Sequence, residues 1–319
     1  MILECNSASK EDISSVLQVT GSGIQVLILR APSTPFEHVS HPPLALLVYS
    51  IHDLIYFIML STKSWIYLDL QKSGCTFLRD ALQKIFGVGC FVDTRKHINM
   101  VSMSPLPKLI TIRDPFGYYF SLWSYGLDGR GKIFSQISDL SPTLARKMYA
   151  SRSQESFAIF LDYVLNSPAR YINKSRSDWL PLSLDLYTAR ILSLIVPFDS
   201  REIFLERLGC DYPSKEKIVE ASSPFVPEII IRTASLNSDF HRYADSGSLS
   251  FMGLPAGWKK DFPLNSSKKN TSSSSLHAVS EAAYSVRSLW MSGWRSAVER
   301  KSGLSLWMLD LASSRLRDL

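Results

Sequence analysis

The apolar positions of this chain of 319 residues fall into two rhythms. From Trp65 to Leu68 aromatic and β-branched side chains alternate, which predicts a strand. A tight polar turn, Gln71-Lys72-Ser73-Gly74-Cys75-Thr76, follows it. Leu78, Ala81, Leu82 and Ile85 then recur at i, i+3, i+4 and i+7, the spacing of an amphipathic helix, and Gly87 stands where a C′ glycine closes one. A second pair of elements begins at Lys108 to Ile112, a short buried strand that ends at Arg113. Asp114 is placed as a helix N-cap with Pro115 at the first helical position. On that helix Phe116, Tyr119, Phe120 and Trp123 share one face, while Ser121 falls on the other with Asp114, Gly117 and Tyr118. Glu155 to Leu165 predicts a further helix, and Leu276, Val279, Ala283, Val286 and Trp290 a long amphipathic one after a Ser/Lys/Asn-rich stretch at 266–275.

Residues 1–63 read as a poorly patterned extension. Their main feature is an apolar run from Leu44 to Leu60, interrupted by His52 and Asp53. Its length is near the lower limit for a membrane span, and an aspartate near its centre costs about 2.5–3.5 kcal/mol on insertion scales. The expectation is a cytoplasmic protein, with anchoring through 44–60 as the alternative and membrane association otherwise not expected. The run lies too far from Met1 to be a signal peptide.

Composition narrows the picture further. With 45% hydrophobic residues the chain can bury a substantial core. A net charge of +6 suits an anionic ligand, but no concentrated basic run argues for nucleic acid. Cys5, Cys75, Cys90 and Cys210 have neither C-x-x-C spacing nor the density of a disulfide framework, so a reducing compartment and no structural metal are expected.

The candidate chemistry lies where strands give way to helices. A strand, a small-residue turn and a helix form a phosphate cradle: free N–H groups of the turn and helix N-terminus converge, and the helix dipole favours an anion. Gly74 lets the backbone close round the ligand, Ser73 and Thr76 add hydroxyls and Lys72 adds a charge. The order differs from a nucleotide-hydrolase P-loop, whose lysine follows the last glycine; here Lys72 precedes Gly74. Arg113 at a strand end and Ser121 on the next helix would suit a second phosphate, unless Arg113 merely pairs with Asp114. Cys75 near a helix N-terminus would have a lowered thiol pKa, although backbone contact rather than thiol chemistry is expected there.

Together these two stretches resemble the sulfotransferase family that uses 3′-phosphoadenosine 5′-phosphosulfate as donor. The resemblance implies that Lys72-Ser73-Gly74-Cys75-Thr76-Phe77 binds the 5′-phosphosulfate and that Arg113 and Ser121 bind the 3′-phosphate. The Arg-Asp-Pro form of the second motif is most similar to bacterial and carbohydrate-type members. Glu228 to Thr233, followed by Leu236 and Asp239-Phe240, resembles the family's late strand and helix, and 264–267 its polar turn over the nucleotide. His97, sixteen residues before Arg113, stands where the family often places its general base. An acidic residue is the alternative base, with Asp178 or Asp239 as stand-ins. Ala234 departs from a position that is often acidic in relatives, and 181–212 matches nothing in the family clearly.

The implied architecture is a three-layer α/β domain with a mainly parallel sheet and a P-loop-like strand-turn-helix, spanning 64–300, followed by a C-terminal tail at 301–319. Residues 1–58 would be an appendage, with Met59 just before the domain. The implied activity is sulfuryl transfer to a hydroxyl or amine of an acceptor, a glycan or a small hydroxylated molecule, with Lys72 and His97 catalytic and no metal. A non-catalytic nucleotide-binding or scaffold protein and a P-loop nucleotide kinase remain as other classes.

Overall fold

The computed structural model describes residues 3–5, 13–20, 23–30, 60–92, 104–172, 179–264, 298 and 301–319. The chain divides into two compact units, Met1–Phe57 and Ile58–Leu319. In the first, β1 (Leu3–Cys5), β2 (Ile13–Thr20) and β3 (Gly23–Arg30) form an antiparallel meander, with β2 and β3 in register from Ile13↔Arg30 to Thr20↔Gly23. The apolar run at 44–60 lies outside the described residues except for Leu60. Among the described residues no helix is long and apolar enough to cross a membrane.

The second unit is mixed α/β. Its sheet starts at β4 (Leu60–Ser61), ahead of the boundary expected at residue 64, and continues with β5 (Ile66–Leu68). Then come α1 (Cys75–Phe86), β6 (Lys108–Ile112), α2 (Pro115–Leu127), α3 (Lys132–Leu140), α4 (Pro142–Tyr149), α5 (Gln154–Asn166) and α6 (Ala169–Ile172). After these the chain forms α7 (Leu186–Ile195), α8 (Arg201–Leu208), α9 (Lys215–Ser222), β7 (Ile229–Arg232), α10 (Leu236–Asp245), α11 (Trp258–Asp261) and α12 (Gly303–Arg317). The four strands lie in the order β4-β5-β6-β7, antiparallel at the first pairing and parallel at the other two.

Strands buried on both faces read as continuous apolar runs, and β5, β6 and β7 are of this kind. Ile66, Leu68, Ile110, Ile112 and Ile230 join a core built with α2, α5, α7 and α12. Their neighbours Tyr67, Leu109, Ile229 and Ile231 join the opposite core with α1 and α10. Helices therefore cover both faces, as period-two alternation in a buried sheet requires.

Two expectations are corrected by packing. Residues 301–319 do not trail away: α12 buries Leu304, Met308, Ala312 and Leu316, and Arg315 Nη1 donates to the carbonyls of Pro227 and Glu228 beside edge strand β7. Tyr118, assigned by its helical spacing to the outer face of α2, is fully buried, because α7 supplies a second packing surface on which Tyr187 stacks against it at 3.8 Å. The rest of α2 follows expectation, with Asp114 Oδ1 accepting from the Gly117 N–H at 2.6 Å and Pro115 in the first turn. The amphipathic helix expected at 276–290 lies outside the described residues.

A buried ion pair joins β5 to α1. Arg79 Nη2 lies 2.9 Å from Asp69 Oδ2, and both side chains are nearly inaccessible. Removing one member of such a pair leaves an uncompensated charge, which typically costs about 3–5 kcal/mol, whereas replacing both by apolar side chains is often tolerated. Asp69→Ala is therefore expected to lower unfolding stability by about that amount in urea titrations. The paired replacement Asp69→Leu with Arg79→Met should recover most of the loss.

Candidate functional site

The parallel register brings the carboxyl ends of β5, β6 and β7 to one edge, and the residues that follow each strand meet there. The turn after β5 runs into α1 through Gly74, which has φ 82° and offers no side-chain cap to the helix. The first-turn amides of α1 therefore have no side-chain cap. A Cβ at Gly74 would stand 2.8 Å from Leu236 Cδ1, at the start of α10, and the left-handed φ would strain any other residue there. Lys72 also has positive φ, 69°, unusual for a residue with a side chain. From β7, Thr233 Oγ1 lies 2.8 Å from the Ser73 carbonyl and 2.9 Å from that of Ile112, fastening the turn to the end of β6.

The cations converge. Arg113 Nη1 donates to the Lys72 carbonyl at 3.3 Å. The Arg113 backbone is held by one phenol: its N–H donates to Tyr187 Oη at 2.9 Å, and Tyr187 Oη donates to its C=O at 2.7 Å. Tyr187 is placed by the N-cap of α7, where the buried Asp185 accepts from the amides of Tyr187 and Thr188 and from Tyr119 Oη. Burial pushes the Asp185 carboxyl pKa up, against these hydrogen bonds. Tyr118, stacked on Tyr187, accepts from Arg190 Nη1 at 2.7 Å. Lys72 Nζ sits 3.2 Å above the ring of Tyr125, with the Arg130 guanidinium 5.5 Å from the same ring. On α2, Ser121 lies one turn from both Tyr118 and Tyr125, hence on the stripe between these cations.

Electrostatics follow from this crowding. Burial, reinforced by the charges of Arg190, Arg130 and Arg113, lowers the Lys72 pKa to about 8, with the nearby Cys75 acting in the opposite direction. Arg113 is likewise shifted down by burial, partly offset by the charge of Asp114. Among the described residues no carboxylate lies within ion-pair distance of Lys72, Arg113 or Arg190. Asp114 caps its helix and forms no ion pair with Arg113, although its charge is close enough to favour the guanidinium.

Several expected residues sit otherwise than their identity implied. The Ser73 hydroxyl is buried, donating to the Leu70 carbonyl at 2.6 Å and lying 2.8 Å from Thr111 Oγ1, so it does not face an anion. The strand below supplied a closer partner. Burial and then the charge of Asp69 push the Cys75 thiol up to about 12, overriding the helix N-terminus and leaving it an inert packing group. Thr76 is exposed, and Phe77 packs on Phe262 with ring centroids 5.6 Å apart. Asp239, a stand-in base, is buried and ion-paired with Arg232 at 2.7 Å, which gives it a structural role. His97 and Asp178 lie outside the described residues, as do Asn265 to Ser267 of the polar turn.

Sequence reasoning missed Tyr125, Tyr187, Arg190 and Thr233. Arg190 left a trace: it is the sole charged residue of the α7 segment LYTARILSLI.

A lysine whose folded pKa is lowered releases its proton more readily in the folded state. Folding stability then rises with pH between about 8 and the unfolded value near 10.4. Below that window the desolvated charge is a standing cost. Lys72→Met is expected to raise the melting temperature of the ligand-free protein at pH 7, with the gain shrinking as pH approaches 10. Thermal unfolding across pH checks this, and a pH-independent difference would count against a desolvated ammonium.

No family model, curated protein or solved structure matches the chain, so the chemistry of this site rests on its own geometry.

Proposed function

We propose that the second unit is a sulfotransferase that moves a sulfuryl group from 3′-phosphoadenosine 5′-phosphosulfate to a hydroxyl or amine of an acceptor, with a carbohydrate as the expected class. The observation that carries the reading is the convergence of Lys72 and Arg113, without carboxylate partners among the described residues, on the uncapped N-terminus of α1. The sheet with helices on both faces supports the three-layer, P-loop-like arrangement in which such a donor lies across the carboxyl ends of the strands.

The residues fit a donor with two separated anionic groups. The turn amides and Lys72 would hold the 5′-phosphosulfate, and Arg113 with Ser121 the 3′-phosphate. The donor supplies the activated sulfur–oxygen bond, and the chain supplies position and charge. In transfer, the bond from sulfur to the bridging oxygen breaks and its electron pair stays on the 5′-phosphate. A new bond forms from the acceptor oxygen to sulfur, and the acceptor proton passes to a base. Lys72, still largely protonated at pH 7 with a pKa of about 8, would neutralise the charge growing on the bridging oxygen.

Adenosine 3′,5′-bisphosphate should raise the melting temperature far more than AMP or ATP, read by thermal shift. Arg113→Ala should weaken its binding by about 1.5–3 kcal/mol, the worth of a charge-assisted hydrogen bond. Magnesium-dependent ATP turnover without bisphosphate binding would favour a kinase instead.

His97 keeps its role as candidate base on sequence position alone. His97→Ala should lower turnover by roughly 10²–10⁴-fold while bisphosphate affinity stays near wild type. Nearly full activity with an unchanged pH profile would pass the role to a carboxylate.

A further inference from the structure

Arg190 lies in the stretch 181–212, where the family resemblance assigns no task, yet its side chain ends at the same face of α2 as that of Arg113. A Cβ at Gly117 would stand 2.8 Å from Arg113 Nε, so this guanidinium lies over the first turn of α2, where glycine leaves room for it. Arg190 Nη1 donates to Tyr118 Oη at 2.7 Å. Around the helix axis Ser121 falls between Gly117 and Tyr118, and it stands one turn beyond both. The two guanidinium groups therefore approach the stripe of α2 that carries Ser121 from its two sides. Stacked rings tie them to one another: Tyr118 packs at 3.8 Å on Tyr187, whose hydroxyl accepts from the Arg113 N–H and donates to the Arg113 C=O. Tyr187 and Arg190 are in turn neighbours one turn apart on α7. Both rings are fully buried, which fixes the framework. Its hydrogen-bonding capacity is largely unspent. A guanidinium has five N–H donors in a planar fork, and Tyr118 occupies one nitrogen of Arg190. No carboxylate among the described residues pairs with either arginine, and the half-buried Ser121 hydroxyl has no hydrogen-bond partner among them.

We propose that Arg190 is a second arginine on the 3′-phosphate, closing with Arg113 and Ser121 a clamp that selects 3′-phosphorylated nucleotides over 5′-monophosphates. The role rests on the sulfotransferase reading above. A phosphate monoester presents three acceptor oxygens, more than one planar fork spans, so a second fork from another element adds contacts that the first cannot make. A guanidinium already held by Tyr118 loses little rotamer freedom when the anion arrives, and more of each hydrogen bond then appears as affinity. A 5′-monophosphate leaves the clamp empty and gains nothing from it. Arg190 is thus a specificity residue, apart from the sulfuryl group.

Calorimetric titration of the full-length chain with adenosine 3′,5′-bisphosphate and with AMP tests this without knowledge of the acceptor, because the two ligands differ only in the 3′-phosphate. In Arg190→Gln the preference for bisphosphate over AMP is expected to fall by about 10-fold or more, the scale of a lost charge-assisted hydrogen bond. Equal losses for the two ligands would overturn the proposal, since an arginine on the 5′-phosphate or one that merely supports the fold weakens both alike. An unchanged affinity for bisphosphate would overturn it as well. Should Arg190→Gln fail to fold, Arg190→Lys keeps the charge and the aliphatic stem but loses the fork. It should lower the same preference by a smaller factor, and an unchanged preference would overturn the clamp. A wild-type chain that binds bisphosphate no better than AMP would instead bring down the sulfotransferase reading, and the role of Arg190 with it.

Discussion

The hydroxyl of Thr233 lies within hydrogen-bonding distance of two carbonyls that belong to different strand ends, Ser73 after β5 and Ile112 at the close of β6. A hydroxyl has one proton, so the donation is shared, and its effect is to lock three loops to one another at the edge of the sheet. Parallel pairing sets the scale of this arrangement, since Leu68 is opposite Ile110 and Ile112 opposite Arg232. A slip of one residue would turn Tyr67 and Ile231 to the wrong core and carry Thr233 away from both carbonyls. Register, fixed by burial on both faces, is therefore what brings Lys72 and Arg113 together.

That convergence is unfavourable on its own. Three guanidinium groups and an ammonium, partly removed from water and with no carboxylate within ion-pair distance of Lys72, Arg113 or Arg190 among the described residues, repel one another, and burial first, then this repulsion, lowers the Lys72 pKa. The tyrosines reduce the cost without neutralising it: Tyr125 offers a ring face to Lys72, and Tyr118 a hydroxyl oxygen to Arg190. A carboxylate would have stabilised the ligand-free fold more, yet would have competed with any anion. On the proposed reading such a site trades stability for affinity, since binding of an anion would offset part of this cost.

Legibility followed the range of the interactions. Strand β5, helix α1 and the Asp114-Pro115 start of α2 are set by neighbours within a turn or two, and the sequence pattern located each of them. The rotation of Ser73 was not legible, because its partner Thr111 lies on another strand, 38 residues away. Tyr118 was assigned outward because a single helix wheel knows one packing face, and α7, the second surface, lies in the stretch 181–212 that the family resemblance did not reach. The meander β1-β2-β3 had a local sign that went unread, a Gly21-Ser22 pair between two apolar runs, which is a two-residue hairpin signal. Helix α12 had weak periodicity of its own, and its burial depends on β7 and α10.

Beneath the turn the core is more polar than a core needs to be, and this explains why hydroxyls assigned to the ligand are found inside. Tyr67 Oη, Thr111 Oγ1, Ser73 Oγ and the Leu70 carbonyl form one buried chain with separations of 3.0, 2.8 and 2.6 Å. Beside it Asp69 holds Arg79 and the Cys75 thiol. Apolar side chains could fill the same volume, but they would leave the turn free to rotate, whereas a fully connected polar chain allows one rotation only. With Ser73 pinned inward, its carbonyl meets Thr233 and the amides at the start of α1 remain without a side-chain cap. On the proposed reading the hydroxyl of Ser73 would act on an anion through the backbone it immobilises. The same residue type at the same position in the turn contributes preorganisation in place of a direct contact.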